Sequence, residues 1–193
     1  MIYRISRDSL LDRFVIWNSY LKRKVHLITC GGTAMTLLGI KDSTKDIDLI
    51  VPDVKEYEYL IRSLKVIGYV QTGAYRWKLE DTSIFDIFKG NFVHTTELIE
   101  SPLKEGNHAL FKEMSFIYLG VLNDYDLIIS KLFRGTQVDI DDCLALVKYR
   151  GVAIDLEKLE GRYRETASYS ISEDKTNRNL NLFLERIKEG DHP

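Results

Sequence analysis

The sequence predicts an α+β protein in which a mixed β-sheet flanked by helices precedes a helical C-terminal half. Short β-rich runs alternate with amphipathic helical segments up to residue 122, and only helical patterns follow. The chain has 193 residues, of which 45% are hydrophobic and 29% charged, so it contains enough apolar material for a real core. We therefore divide it into an α/β half, residues 1–122, and a helical half, residues 123–193.

In the first half, helices and strands alternate. A first helix, which Ser6 and Asp8 can cap, runs to about Lys22. It is followed by the strand "VHLIT", the Gly31-Gly32 turn and a short helix from Thr33 to Leu38. The loop "IKDST" leads into a strand from Asp46 to Val51. A helix in "PDVKEYEYLIRSLKVIG" comes next, and strand signals follow in "YVQT", "YRWKLE", "SIFDIF" and "FIYLGV".

In the second half, the pattern is helical throughout. The segments are "DYDLIISKLFRG", "DIDDCLALVKYRG", a charged stretch from Asp155 to Tyr169, and the amphipathic "NRNLNLFLERIKE".

Composition narrows the function classes. A formal net charge of −2 argues against wrapping of nucleic acid driven by charge alone. The two cysteines, Cys30 and Cys143, show neither metal-ligand spacing nor a disulfide framework, so we expect buried free thiols. No segment approaches the ~20 apolar residues of a membrane span, and the first residues do not resemble a signal peptide. We predict a cytoplasmic protein without a membrane partner.

Asp46 and Asp48 are an unusual feature of an otherwise apolar strand. Strand alternation directs Ile47 and Leu49 into a core and places the two aspartates together on the other face. Neighbouring carboxylates repel each other and resist desolvation, so a cation is expected beside them. Carboxylates at this spacing can hold magnesium, which prefers hard oxygen ligands. The alternative, an edge strand with two solvated aspartates, stays open.

Asp86 is a third carboxylate in an apolar strand, "SIFDIF". Burial of an unpaired charge is unfavourable, so this residue either lies on the wet face of an edge strand or joins Asp46 and Asp48. A cluster of three carboxylates is intelligible when two metal ions neutralise it, as in in-line phosphoryl displacement.

The Gly31-Gly32 turn precedes these aspartates and opens a helix. Paired glycines let the backbone approach a ligand closely, and a helix start presents free N–H groups to an anion. Thr33 adds a hydroxyl. An ordinary turn is the alternative.

Taken in order, Gly31, Gly32, Asp46, Asp48 and Asp86 resemble the signature of the minimal nucleotidyltransferases of the DNA polymerase beta-like superfamily. The segment "LGIKDSTKDIDLIV" is similar to that of the abortive-infection toxin type and its uncharacterised prokaryotic relatives. Thr44 stands two residues before the first aspartate, where those relatives commonly have threonine, and Lys41 stands where many have arginine.

The resemblance extends to the helical half, where such proteins often have a helix with a lysine and then an acidic helix start. The segment "DLIISKLFRGTQVDIDDCLAL" matches that pattern with Asp126, Lys131, Arg134, Asp139 and Asp142. The alternative is a set of solvated helix faces.

The resemblance implies transfer of a nucleoside monophosphate from a nucleoside triphosphate to an acceptor hydroxyl. Asp46, Asp48 and Asp86 would hold two Mg²⁺ ions and, together with Lys131, would be the catalytic residues. The phosphates would contact residues of the glycine turn, of the segment before the aspartates and of the helical half: Gly31, Gly32, Thr33, Lys41, Thr44, Lys131 and Arg134.

The acceptor stays open among an RNA end such as that of tRNA, a protein and a small molecule. The toxin of a toxin–antitoxin pair, with an antitoxin protein as its partner, is one role that the resemblance implies. A non-catalytic protein that binds nucleotides or senses them on the same fold is the alternative function. A plain α/β interaction module is a third.

Overall fold

The structure is a computed structural model that describes residues 4–80 and 84–190. Its strands in chain order are β1 (Ile5–Ser6), β2 (Val25–Thr29), β3 (Ser43–Thr44), β4 (Ile47–Val51), β5 (Val70–Gln71), β6 (Arg76–Lys78), β7 (Phe85–Lys89), β8 (Phe92–Val93), β9 (Thr96–Glu97), β10 (His108–Glu113) and β11 (Ile117–Leu122). Its helices are α1 (Arg7–Tyr20), α2 (Gly31–Leu37), α3 (Val54–Val66), α4 (Asp124–Arg134), α5 (Gln137–Arg150), α6 (Leu156–Ser168) and α7 (Glu173–Lys188), with a 3-10 turn at Gly151–Ala153.

The chain folds into two compact units, one of Met1–Phe92 with Glu100–Leu122 and one of Val93–Ile99 with Asn123–Pro193. The first contains a mixed seven-stranded sheet in the order β10-β11-β2-β4-β7-β6-β5. β4 is parallel to β7 and antiparallel to β2, while β6 is antiparallel to β7. The predicted α+β class, with a mixed sheet and helices, is confirmed.

An aromatic cluster fixes β7 from one side of the sheet. Phe85 stacks on Trp17 of α1 with ring centroids 4.5 Å apart, and Tyr69 meets both rings edge to face. The indole N–H of Trp17 donates to the Tyr69 hydroxyl at 3.1 Å. Because side chains alternate along a strand, the anchoring of Phe85 in this core directs the next residue, Asp86, to the opposite face.

The second unit packs α4, α5, α6 and α7 around apolar side chains. Asn123 and Thr136 cap α4 and α5, and Thr136 forms a reciprocal capping box with Asp139. Tyr163 packs against Phe133, and its hydroxyl donates to the Thr176 carbonyl at 2.7 Å. The assignment of catalytic and helical roles to residues 1–122 and 123–193 stays a prediction.

Both cysteines are free and buried, as predicted. Burial raises the pKa of the Cys143 thiol well above its usual value. Among residues 4–80 and 84–190, no helix has the length and apolar character needed to cross a bilayer.

Candidate active site

Asp48 and Asp86 are neighbours on the two central parallel strands of the sheet. β4 lies between β2 and β7, and β7 lies between β4 and β6. The register places Asp48 directly opposite Asp86, and the two residues are only 8% and 2% exposed. The alternative of solvated aspartates on edge strands is therefore wrong for both positions. A buried carboxylate pair requires a compensating positive charge or hydrogen-bond donors.

Asp46 differs from the prediction in its backbone position. The strand begins at Ile47, so Asp46 lies in the bend before β4 and not within the strand. Its side chain is partly exposed, and its Oδ2 lies 3.9 Å from Nη2 of Arg76. Asp46 therefore lies immediately before β4, whereas Asp48 lies within that strand in the sheet.

Arg76, which the sequence reasoning missed, supplies a cation to this cluster. It is the register partner of Asp86 across the antiparallel β6–β7 pair. Its Nε donates to Oδ1 of Asp86 and its Nη2 to Oδ2, both at 2.9 Å. These hydrogen bonds raise the pKa of the Arg76 guanidinium above its usual value. A signal existed, because Arg76 and Asp86 stand on consecutive strand signals that a short connection can fold into a hairpin.

The glycine pair makes room for the aspartate cluster. Gly31 has a φ of +54°, which favours glycine, and a β-carbon there would overlap Oδ2 of Asp48. A β-carbon at Gly32 would lie 2.5 Å from Oγ1 of Thr44. The Gly32 N–H donates to Oδ2 of Asp48 at 3.2 Å. Both glycines belong to the first turn of α2, which begins two residues before the predicted start at Thr33. They bring backbone against the carboxylate, and contact of the pair with phosphates stays a prediction.

Thr33 and Thr44 hold the backbone that carries the aspartates. The Thr33 hydroxyl donates a hydrogen bond to the Asp46 carbonyl at 3.2 Å and accepts one from the Asp48 N–H at 2.8 Å. The Thr44 hydroxyl donates to the same Asp46 carbonyl at 3.0 Å. Thr33 is fully buried, so its hydroxyl serves this internal junction. Nucleotide contact by Thr44 stays a prediction.

Lys41 lies between α2 and β3 and is partly exposed. Its backbone N–H donates to the Met35 carbonyl at 3.2 Å, which closes the turn after α2. Phosphate contact by its side chain stays a prediction.

In the second unit, Lys131 and Arg134 form ion pairs with buried carboxylates of α5. The Lys131 ammonium is 3% exposed, lies 2.6 Å from Oδ2 of Asp142 and is 3.7 Å from Oδ1 of Asp139. Arg134 donates through two nitrogens to Asp139, which is fully buried. The alternative of solvated helix faces is therefore wrong for Lys131, Asp139 and Asp142, whereas the Arg134 side chain is 41% exposed. Their role toward a triphosphate stays a prediction.

Burial and nearby hydrogen-bond donors act in opposite directions on the pKa of Asp139. Burial alone would raise the pKa of this carboxyl, but hydrogen bonds from Arg134 and Thr136, together with the charges of Arg134 and Lys131, hold it below its usual value. Asp139 thus anchors α5 to the end of α4 as a carboxylate.

The donor set at the aspartates fits one divalent cation better than two. Asp46 and Asp48 offer the hard carboxylate oxygens that magnesium prefers. Both oxygens of Asp86 already accept hydrogen bonds from Arg76. Within the described ranges, no group of three or more His, Cys, Asp or Glu side chains is arranged to hold a metal ion.

Asp48 and Asp86 on parallel strands of a mixed sheet, with Asp46 just before β4 and a glycine pair at a helix start, are the arrangement expected of the nucleotidyltransferase class. The chain belongs to the family described as "Nucleotidyltransferase of unknown function (DUF6036)", whose model matches residues 17–190. No curated protein sequence matches it. The closeness to the abortive-infection toxin type stays a prediction.

Two solved structures are similar to this chain. One is the crystal structure of ANT(2")-Ia in complex with adenylyl-2"-tobramycin, with 15% identity over 83% of this chain and 96% of that chain and a TM-score of 0.55. The other is the solution structure of the antibiotic-resistance factor ANT(2'')-Ia, with 16% identity over 95% and 94% of the two chains and a TM-score of 0.46. The first likeness supports the nucleotidyltransferase fold.

Proposed function

We propose that this protein transfers a nucleoside monophosphate from a nucleoside triphosphate to a hydroxyl group of an acceptor and releases pyrophosphate. The observation that carries the proposal is the buried pairing of Asp48 with Asp86 on central strands, with Asp46 at the entrance to β4. Burial of carboxylates in the middle of a sheet is costly to the fold, and functional sites are where proteins commonly accept such a cost. Membership of a nucleotidyltransferase family supports the same reaction.

Asp46 and Asp48 would hold a divalent cation such as Mg²⁺. When bound, that ion would neutralise the triphosphate oxygens and stabilise the charge that develops during phosphoryl transfer. Thr33 would keep the two aspartates in register, because its hydroxyl bonds the backbone of both. The Gly32 N–H would orient the Asp48 carboxylate through their hydrogen bond.

Asp86 would orient the acceptor hydroxyl and take its proton. Each carboxylate oxygen has two lone pairs, so the hydrogen bonds from Arg76 leave Asp86 able to accept another. The acceptor oxygen would form a bond to the α-phosphorus as the bond to the pyrophosphate oxygen breaks. Arg76 would hold the Asp86 carboxylate in a fixed orientation through its two hydrogen bonds.

The test is incubation of the purified protein with Mg²⁺, each of the four labelled ribonucleoside triphosphates, and separate acceptors. These acceptors are total RNA including tRNA, protein extract, and tobramycin, since an adenylylated tobramycin accompanies the similar crystal structure. We expect pyrophosphate release together with label on one acceptor class, and neither with Asp48→Asn. Absence of pyrophosphate with every combination would contradict the proposal.

Nucleotide sensing without catalysis is a second candidate function. Arg76 favours it, because the guanidinium neutralises Asp86 without any metal ion. A sensor would bind a triphosphate, seen as a rise in melting temperature, without releasing pyrophosphate.

A toxin role with an antitoxin partner is a narrower proposal supported by the resemblance alone. It predicts growth arrest when the wild-type protein is expressed and normal growth with Asp48→Asn at equal protein level.

A further inference from the structure

We propose that Arg76 acts as the second cation of this site, so that the protein binds one divalent ion, at Asp46 and Asp48, and excludes a second ion from Asp86. This inference deepens the proposed function and rests on it for the first ion. It replaces the two-ion prediction that the sequence resemblance implies.

The hydrogen-bond geometry carries the first step. The planar guanidinium approaches both oxygens of Asp86 through two different nitrogens, each at 2.9 Å. In this bidentate arrangement, two N–H groups of the planar guanidinium donate to the two oxygens of one carboxylate. The ammonium of lysine acts as a point charge and cannot form this paired geometry. Nη2 also lies 3.9 Å from Oδ2 of Asp46. The guanidinium is thus within reach of both carboxylates that a second ion would share.

The sheet fixes Arg76 in this position. Arg76 and Asp86 are register partners, and Trp77 beside Arg76 pairs with Phe85 of the aromatic cluster. The Thr72 N–H donates to the Arg76 carbonyl and the Ile87 N–H to the Tyr75 carbonyl, both at 2.8 Å. The backbone ladder therefore aligns the arginine with its carboxylate.

Charge balance favours one ion. The three carboxylates of Asp46, Asp48 and Asp86 carry three negative charges, and Arg76 carries one positive charge. In the absence of nucleotide, a single divalent ion balances the charge of these four side chains, whereas a second would leave two excess positive charges among them, beside a guanidinium. Like charges at contact distance in a partly buried site repel strongly.

The experiment counts Mn²⁺ ions bound per chain by electron paramagnetic resonance, with Mn²⁺ alone as the probe. We expect one ion in the wild type and two in Arg76→Gln, in which Asp86 is released. The double variant Arg76→Gln with Asp86→Asn should return to one. Lys78→Gln is the matched control, since it removes a positive charge from the same strand and should leave the count at one.

The difference in bound Mn²⁺ per chain between Arg76→Gln and the wild type tests the inference. The number of ions bound by the wild type tests the proposed function. A wild-type count of zero would contradict the proposed cation site, while one extra ion in Arg76→Gln would still support exclusion by Arg76. An equal count in the two proteins, or two ions in the wild type, would overturn the inference. If Arg76→Gln does not fold, Asp86→Asn alone replaces it: an unchanged count supports the inference, and loss of an ion overturns it.

Discussion

Asp48 and Asp86 lie directly opposite each other on the parallel strands β4 and β7, where both are buried. Adjacent strands are about 4.8 Å apart, so the two carboxylates share one local environment. Arg76 forms an ion pair with Asp86, and the Gly32 N–H donates a hydrogen bond to Asp48. These contacts lie within the protein itself, so the residues that support the candidate site can be tested one by one.

The Thr33 hydroxyl is expected to hold Asp46 and Asp48 in place. Thr33→Val keeps the shape but leaves the Asp48 N–H and the Asp46 carbonyl without this partner, so we predict a loss of about 1–3 kcal/mol in the free energy of unfolding and a drop in transfer. Urea unfolding and pyrophosphate release measure the two effects. Thr33→Ser should restore most of both.

Thr36→Val is the matched control for that change. Thr36 is equally buried on the same helix, but its hydroxyl donates to the Gly32 carbonyl within α2. We expect a loss below about 1 kcal/mol, because such back-bonding adds little to helix stability. Equal losses in the two valine variants would contradict a special role for Thr33.

Gly31 is predicted to be required for the position of Asp48. Gly31→Ala places a β-carbon on Oδ2 of Asp48 as well as straining a backbone with positive φ, so both stability and transfer should fall. Gly39→Ala has a similar positive φ but open space around the new β-carbon, and should show only the strain of about 1 kcal/mol. Identical behaviour of the two variants in urea unfolding and in transfer would argue against this account.

Lys131 is predicted to stabilise the helical unit. Lys131→Ala leaves the buried carboxylates of Asp139 and Asp142 short of a cation, and we expect a loss of about 3 kcal/mol in the free energy of unfolding. Lys175→Ala, at an exposed position of α7, is the control and should change stability by less than about 0.5 kcal/mol. Calorimetric melting measures both, and similar melting temperatures would show that the network is dispensable.

The fold class and most elements could be predicted from the sequence because their signals are local. The apolar alternation of "VHLIT" and the helix of Val54–Val66 depend only on neighbours along the chain. The mixed sequence "HALFKE" of β10 carries no such signal, and that strand was not predicted. It forms because antiparallel pairing with β11 supplies its hydrogen bonds.

The electrostatics of the site depend on pairing between distant segments and could be predicted only in part. The spacing of Asp46 and Asp48 predicted two neighbouring carboxylates and the need for a cation, whereas the position of Asp86 stayed open between an edge strand and this cluster. That Arg76 supplies a cation depends on the register between β6 and β7, which alternation alone does not fix. Burial of the Lys131 ammonium likewise depends on α5 placing Asp142 beside it.

The most direct test of the central claim is Asp48→Asn, measured for transfer with Mg²⁺ and for the urea midpoint without metal. The amide keeps the size of the side chain and can still accept from the Gly32 N–H, but it loses the charge that a cation needs. We predict that transfer falls at least about a hundredfold, since metal-borne charge stabilisation contributes several kcal/mol and each ~1.4 kcal/mol is tenfold in rate. The metal-free midpoint should stay unchanged or rise, because repulsion between buried carboxylates is relieved. A clear fall in the midpoint with transfer preserved would contradict the assignment of Asp48 to a catalytic site.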